Sequence, residues 1–102
     1  MKAFEIYCNF AAANRQAKEL DNIARKLKYT AENYLGGKAR SLDAAWNGEA
    51  SDKFFEKETR LREKMLEEAS SLRQVAEAIR RIARRTYETE MKALEVSSQR
   101  TY

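Results

Sequence analysis

The stretch from Phe54 to Tyr87, FFEKETRLREKMLEEASSLRQVAEAIRRIARRTY, decides the fold class of this chain. Its apolar residues recur every three or four positions, which is the spacing that places side chains on one face of an α-helix. The stripe contains Phe54, Leu61, Met65, Ala69, Leu72, Ala76, Ile79, Ala83 and Tyr87, and Phe55, Leu66, Val75 and Ile82 broaden it. Glu58 interrupts the stripe between Phe54 and Leu61. The pattern predicts a long helix over residues 49–94, followed by a frayed polar tail over residues 95–102.

A second stripe of the same period precedes this one, and it predicts a first helix over residues 9–45. Its members are Ala13, Ala17, Leu20, Ala24, Leu27, Ala31 and Tyr34, with Phe10, Ile23 and Leu35 beside them. The stripe is rich in alanine, which allows two helix axes to approach closely. In Met1 to Cys8 only an alternation of Phe4 and Ile6 is visible, which predicts an extended segment with Asn9 as the helix N-cap.

Glycines interrupt the chain at two places. Leu42 and Ala45 continue the first stripe beyond Gly36-Gly37, so we expect one helix weakened at these glycines; a break there is the alternative. Trp46-Asn47-Gly48 ends the pattern. Asparagine and glycine both tolerate left-handed backbone angles, so the chain can reverse over residues 46–48. The prediction is a single all-α domain over residues 1–102, an antiparallel hairpin of two long helices.

Composition agrees with a helical chain that needs a partner. The 102 residues include no proline and are 35% charged, which is typical of long helices. Both stripes are wider than a two-helix contact requires, so a hairpin leaves an apolar groove that a second hairpin would close into a four-helix bundle. The residues predicted to form this core or dimer stripe are Leu20, Leu27, Phe54, Leu61, Met65, Leu72 and Ile79.

No catalytic chemistry is visible in the sequence. The chain has no histidine, which removes imidazole bases and imidazole metal ligands. Gly36-Gly37 lacks the spacing of a phosphate-binding loop, and the cluster of Glu63, Glu67 and Glu68 is expected to be a solvated face. We therefore predict no enzyme activity, no catalytic residue, no cofactor and no metal site. Cys8 has no second cysteine to pair with, and we expect it to pack as a small apolar residue, with a reactive thiol as the alternative.

The densest charge cluster is basic and contains Arg80, Arg81, Arg84 and Arg85. This possible basic patch would suit nucleic acid, anionic lipid or an acidic protein. The net charge of +4 is modest, however, so the sequence favours a solvated face over nucleic-acid binding. No apolar run is long enough to span a membrane. Met1 to Phe10 lacks the apolar core of a signal peptide, which predicts either a cytosolic protein or one exported without a cleaved leader.

Two amphipathic helices joined by a central Trp46-Asn47-Gly48 resemble the WXG family, the ESAT-like small proteins exported by type VII secretion. Leu42, Ala50 and Phe54 also match family positions around the turn. The resemblance implies a helical hairpin that forms a homodimer, or a heterodimer with another WXG-type protein. It also implies export from Gram-positive cells by an FtsK/SpoIIIE-type membrane ATPase, in some cases beside a larger toxin.

Many members of that family carry a C-terminal tyrosine followed four residues later by an acid, which acts as an export signal. Here Tyr87 occupies the tyrosine position, but the residue four positions on is Met91 and the acid is Glu90. The resemblance thus implies a recognition motif of Trp46, Gly48, Tyr87 and Glu90, in which either Tyr87 and Glu90 act with an altered spacing or a partner carries the full signal. For Trp46 and Tyr87, packing within the bundle is the alternative role.

Three functions remain open from the sequence. The first is a type VII secretion substrate that acts as an effector or a co-secreted partner. The second is a cytosolic coiled-coil adaptor or chaperone that covers another protein's helices. The third is a basic helical dimer that binds nucleic acid. The sequence favours the first, because neither rival explains the tryptophan in the turn.

Overall fold

The computed structural model describes residues 2–35 and 49–99, and the side chains of residues 2–33 and 52–99. Every described residue is helical, and no strand occurs among them. Helix α1 covers Lys2–Tyr29, a π-helical segment covers Thr30–Leu35, and helix α2 covers Glu49–Gln99. The predicted hairpin of two long helices is therefore confirmed as the fold.

Helix α1 begins seven residues earlier than the sequence pattern suggested. The prediction of an extended Met1–Cys8 segment with Asn9 as N-cap was wrong, because α1 starts at Lys2 and Ile6 is one of its buried residues. Ile6, Phe10, Ala13 and Ala17 lie four, three and four residues apart, so they continue the apolar stripe. Burial of Ile6 against α2 outweighs the local alternation that Phe4 and Ile6 display.

The end of α1 changes from α-helical to π-helical geometry at Thr30. The side-chain amide of Asn33 donates a hydrogen bond to the backbone carbonyl of Tyr29, at 3.0 Å. Asn33 stands four residues after Tyr29, where a regular helix would supply a backbone amide, so its side chain can compete for this acceptor.

Helix α2 begins at Glu49 and continues to Gln99 without interruption. The predicted frayed tail from residue 95 was wrong as far as Gln99, because helix geometry persists through Val96 and Ser97. Gly36-Gly37, the predicted helix between them and Ala45, and the turn at Trp46-Asn47-Gly48 lie outside the described residues.

The chain forms two compact units. The terminal unit consists of Met1–Leu20 and Gln74–Tyr102, and the central unit consists of Asp21–Arg73. Within the terminal unit, the helices run antiparallel. The residues of α1 from Ile6 to Ala13 share a cleft with residues of α2 from Glu90 back to Ile79. One step nearer the N-terminus, Lys2 shares a neighbouring cleft with Ser97.

Small side chains fill the interior of each unit. In the terminal unit Ala17 and Ala76 are fully buried, and in the central unit Ala24, Ala31 and Ala69 are buried. No large side chain is fully buried among the described residues. Alanine at these positions lets two helix backbones approach closely, so the larger apolar side chains lie at the edges of the contact and not inside it. Several large apolar side chains of α2, such as Ile82, therefore remain exposed.

Candidate functional site

The terminal unit contains a cleft of about 280 Å³ between α1 and the second half of α2. Two of its lining residues, Phe10 and Tyr87, pack their rings together in a tilted arrangement. The lining is mostly apolar and consists of Ile6, Asn9, Phe10, Ala13, Ile79, Ile82, Ala83, Thr86, Tyr87 and Glu90. A cleft of this size accommodates one or two side chains of a partner, so it is suited to anchoring an apolar residue.

Two of the four residues of the predicted recognition motif lie in this cleft. Tyr87 is half-buried and its ring contacts Phe10, while the Glu90 side chain is exposed at the same cleft. Since they are three residues apart on one helix, they share a face. The structure therefore brings Tyr87 and Glu90 together and gives Tyr87 a packing role. Trp46 and Gly48 lie outside the described residues.

Large apolar side chains of α2 are exposed in each unit. In the terminal unit they are Val75, Ile82 and Val96, which are 49%, 60% and 42% exposed. In the central unit Phe54 and Leu61 occupy the same register and are also exposed. Consecutive members are separated by seven residues or by fourteen. We call these five residues the outer row.

The outer row is exposed, whereas most of the predicted core stripe is more buried. Leu20, Leu27, Met65, Leu72 and Ile79 of the predicted core stripe are half-buried. Phe54 and Leu61 are exposed, and the buried residue between them is Glu58. The seam in the central unit therefore passes through the glutamate that interrupts the apolar pattern. Phe54 and Leu61, predicted for the core or dimer stripe, are therefore exposed in the single chain.

Glu58 is a charged residue that is buried in the central unit. It is 8% exposed, and its Oε1 accepts no hydrogen bond from any described residue. A buried carboxylate oxygen without a donor destabilises the folded state, because it has lost its hydration. Sequence patterning identified Glu58 as an interruption of the stripe, but the period alone did not show that its side chain would be buried.

Charged residues border the outer row on its solvent side. Arg85 and Lys92 are exposed in the terminal unit; Arg85 stands three residues after Ile82, and Lys92 stands four residues before Val96. In the central unit Lys57 and Lys64 hold the same register and are exposed. From position 57 to position 92 this register holds Lys57, Lys64, Ser71, Ala78, Arg85 and Lys92. We call these six residues the basic border.

The predicted basic patch separates into residues with different surroundings. Arg81, Arg84 and Arg85 are exposed, whereas Arg80 is half-buried. Arg85 lies beside Ile82, three residues earlier on the same face, but Arg84 and Ile82 are two residues apart and lie on opposite sides of a helix. Within the predicted basic patch, Arg85 therefore lies beside the outer row, whereas Arg84 does not.

Other candidate chemistry finds little support in the described residues. They contain no group of three or more histidine, cysteine or acidic side chains arranged to hold a metal ion. The Glu63, Glu67 and Glu68 side chains are exposed, as expected for a solvated face. Cys8 is exposed as well, which contradicts the expectation that it packs as a small apolar residue. Within the described part of the chain, neither helix combines the length and apolar character that crossing a membrane requires.

No family model matches this sequence, and no curated protein or solved structure shows significant similarity to it. The resemblance to the WXG family therefore depends on the residues around the turn and on the helical pattern alone.

Proposed function

We propose that this protein is a substrate of type VII secretion that acts by binding a helical partner and not by catalysis. The order of its elements supports the proposal. Trp46-Asn47-Gly48 stands between two long helices, and α2 begins at Glu49, directly after Gly48. This is the place that the motif occupies in the WXG family, which the chain resembles.

The observation that carries the binding role is the composition of the interior. The fully buried residues are alanines, while Ile82 and four other large apolar side chains of α2 remain exposed. Fully burying one such side chain stabilises a complex by about 1.5–3 kcal/mol. This hairpin buries mainly small side chains and leaves its outer row exposed. It therefore gains much of its stability from a partner helix pair, as in a four-helix bundle.

Export is tested by expressing the tagged chain in a Gram-positive host, with and without its FtsK/SpoIIIE-type ATPase. We expect the chain in the culture fluid only when the ATPase is present, with a cytosolic marker confined to the cells. Retention in the cytosol despite an active ATPase would contradict secretion and would make the chain an intracellular adaptor for helices.

The role of the turn is tested by Trp46→Ala in the same host. We expect loss of most of the export without loss of helix content by circular dichroism. Tyr29→Ala is the matched control, because Tyr29 is an exposed aromatic residue near the end of α1. Normal export of a folded Trp46→Ala protein would show that the tryptophan packs in the bundle and is not recognised.

A further inference from the structure

Helix α1 carries a second row of regularly spaced residues, on its solvent side. They are separated by three or four residues throughout, so they share one face of the helix. The row, which we call the outward stripe, consists of Phe4, Tyr7, Ala11, Arg15, Lys18, Asn22, Arg25 and Tyr29. All of these residues are exposed except the small Ala11, which is half-buried. The buried residues Ile6, Ala17 and Ala24 lie roughly 135° away around the helix axis, so the outward stripe points away from α2.

The aromatic members of the outward stripe are among its most exposed side chains. In the terminal unit Phe4 and Tyr7 are 69% and 56% exposed, and they stand one helical turn apart. In the central unit Tyr29 is 59% exposed. The rings of Phe4 and Tyr7 therefore contribute little to the packing of the hairpin, and their faces can stack with another flat ring system.

The charged members of the outward stripe are all cations. Arg15 and Lys18 belong to the terminal unit, and Arg25 belongs to the central unit. The Arg25 guanidinium donates a hydrogen bond to the side-chain oxygen of Asn22 in the same stripe, and it keeps further N–H donors for an anion. Exposed rings combined with exposed cations are typical of surfaces that bind single-stranded nucleic acid.

Acidic residues of this part of the chain lie beside the outward stripe and not within it. Those among residues 2–33 are Glu5, Glu19, Asp21 and Glu32. Glu19 stands four residues after Arg15, and Asp21 stands three residues after Lys18, so each carboxylate can weaken the field of a cation from the side. Helix α1 has six basic and three acidic residues, so its formal charge of +3 is still most of the +4 of the chain.

The arrangement of rings and cations favours a nucleic-acid strand over a lipid surface. A helix that lies on a membrane buries an apolar face and keeps its charges on the other side. Here Arg15 and Lys18 lie in one row with Phe4 and Tyr7, so insertion of the rings would carry the cations into the lipid as well. A single strand offers anionic phosphates together with unpaired bases, whereas the bases of a duplex are already stacked on each other.

We propose that the outward stripe of α1 binds single-stranded nucleic acid without sequence preference. Bases stack on Phe4 and Tyr7, and Arg15 and Lys18 contact the phosphates. The inference goes beyond the proposed function, which involves no nucleic acid. It also differs from nucleic-acid binding by the basic patch, because that patch lies on α2.

The test uses the full chain and three fluorescein-labelled probes of equal length, with binding measured by anisotropy. The probes are a single-stranded oligothymidylate, an abasic strand with the same phosphates but no bases, and a duplex. We expect the oligothymidylate to bind about tenfold more tightly than the abasic strand, because stacking of one base on an aromatic ring accounts for roughly that factor. The duplex should also bind more weakly than the oligothymidylate, and added salt should weaken binding of all three.

Two double variants separate stacking from charge. Phe4→Ala combined with Tyr7→Ala should abolish the preference for the oligothymidylate over the abasic strand and leave the salt dependence unchanged. Arg15→Gln combined with Lys18→Gln should weaken binding of both strands. It should also lower the slope of the logarithm of the binding constant against that of the salt concentration by about 1.4, since each lost phosphate contact accounts for about 0.7.

Matched controls make the same kinds of change on α2. Val75→Ala combined with Ile82→Ala removes exposed apolar side chains, and Arg81→Gln combined with Arg84→Gln removes two exposed arginines. Each control should change the affinity for the oligothymidylate by less than about twofold, because it removes no contact to a base or a phosphate. Circular dichroism checks that every variant keeps its helix content.

Four results would overturn the inference. Equal binding of the oligothymidylate and the abasic strand would show that no base stacks on the stripe, and tighter binding of the duplex would exclude a single-strand site. Tighter binding of phosphatidylglycerol vesicles than of the oligothymidylate would make the stripe a lipid-binding face. A larger loss from the α2 arginine variant than from Arg15→Gln with Lys18→Gln would place the site on α2. None of these measurements involves export, so the inference can fail while the proposed function stands.

Discussion

The rings of Phe10 and Tyr87 lie 4.8 Å apart between their centroids, with their planes inclined by 39°. The contact joins the first helix to the second within the terminal unit, and it involves the tyrosine that the WXG resemblance assigns to export. Tilted aromatic pairs at this separation stabilise a fold beyond the area that they bury. A role of Tyr87 in recognition must therefore be separated from its role in packing.

A double-mutant cycle separates the two roles. Phe10→Leu and Tyr87→Leu should each lower the free energy of unfolding, and their combination should show a coupling of about 0.5–1.5 kcal/mol. Urea denaturation followed by circular dichroism measures all four proteins. Tyr87→Phe keeps the ring pair and should leave stability unchanged, so any export defect of Tyr87→Phe reports on the hydroxyl alone. Strictly additive single effects would show that the rings do not interact.

Replacement of Glu58 by leucine should stabilise the protein. The carboxylate is buried and its Oε1 has no donor among the described residues, so an apolar side chain removes an uncompensated desolvation. We expect the free energy of unfolding to rise by about 1–3 kcal/mol. Glu56→Leu, at an exposed position two residues earlier, is the control and should change stability by less than about 0.5 kcal/mol. A destabilised Glu58→Leu protein would mean that the carboxylate has a partner.

Replacing a buried alanine between the two helices by a larger residue should destabilise the hairpin. Ala76 is fully buried, so Ala76→Leu forces the two helices of the terminal unit apart and should lower the free energy of unfolding by about 1–3 kcal/mol. Ala93→Leu makes the same change at an exposed position of the same helix and should have little effect. Thermal melts of both proteins at equal concentration test this. Equal melting temperatures would show that the seam accommodates large residues at position 76.

The spacing of apolar residues predicted both the helices and the buried alanines between them. Residues that recur every three or four positions lie on one face of a helix, and that face packs against the other helix. Ala17, Ala24 and Ala31 lie seven residues apart, and all three are buried. The same rule includes Ile6, four residues before Phe10, but a local alternation over Met1–Cys8 competed with it. A pattern as short as that of Phe4 and Ile6 fits either a strand or a helix. Contacts with α2 determine that this segment is helical.

The location of the uncovered surface could not be predicted in the same way. Phe54 and Leu61 are large and apolar, and patterning assigned them to the core or dimer stripe, yet Glu58 occupies the buried position between them. Hydrophobicity shows which faces of a helix avoid water, but it does not specify which of two adjacent rows a given neighbour covers. That choice depends on how closely the helix axes approach, which the small residues of the seam control.

The buried alanines between the helices also determine which substitutions this chain can tolerate. Only glycine is smaller than alanine, and in a helix interior glycine is less favourable by about 1 kcal/mol. Nearly every substitution at Ala17, Ala24, Ala31 or Ala76 therefore either enlarges the side chain or weakens the helix. Exposed positions such as Val75 or Ile82 have no such limit. A distant relative would then be recognised by the seven-residue spacing of its smallest side chains, even where all of its large ones differ.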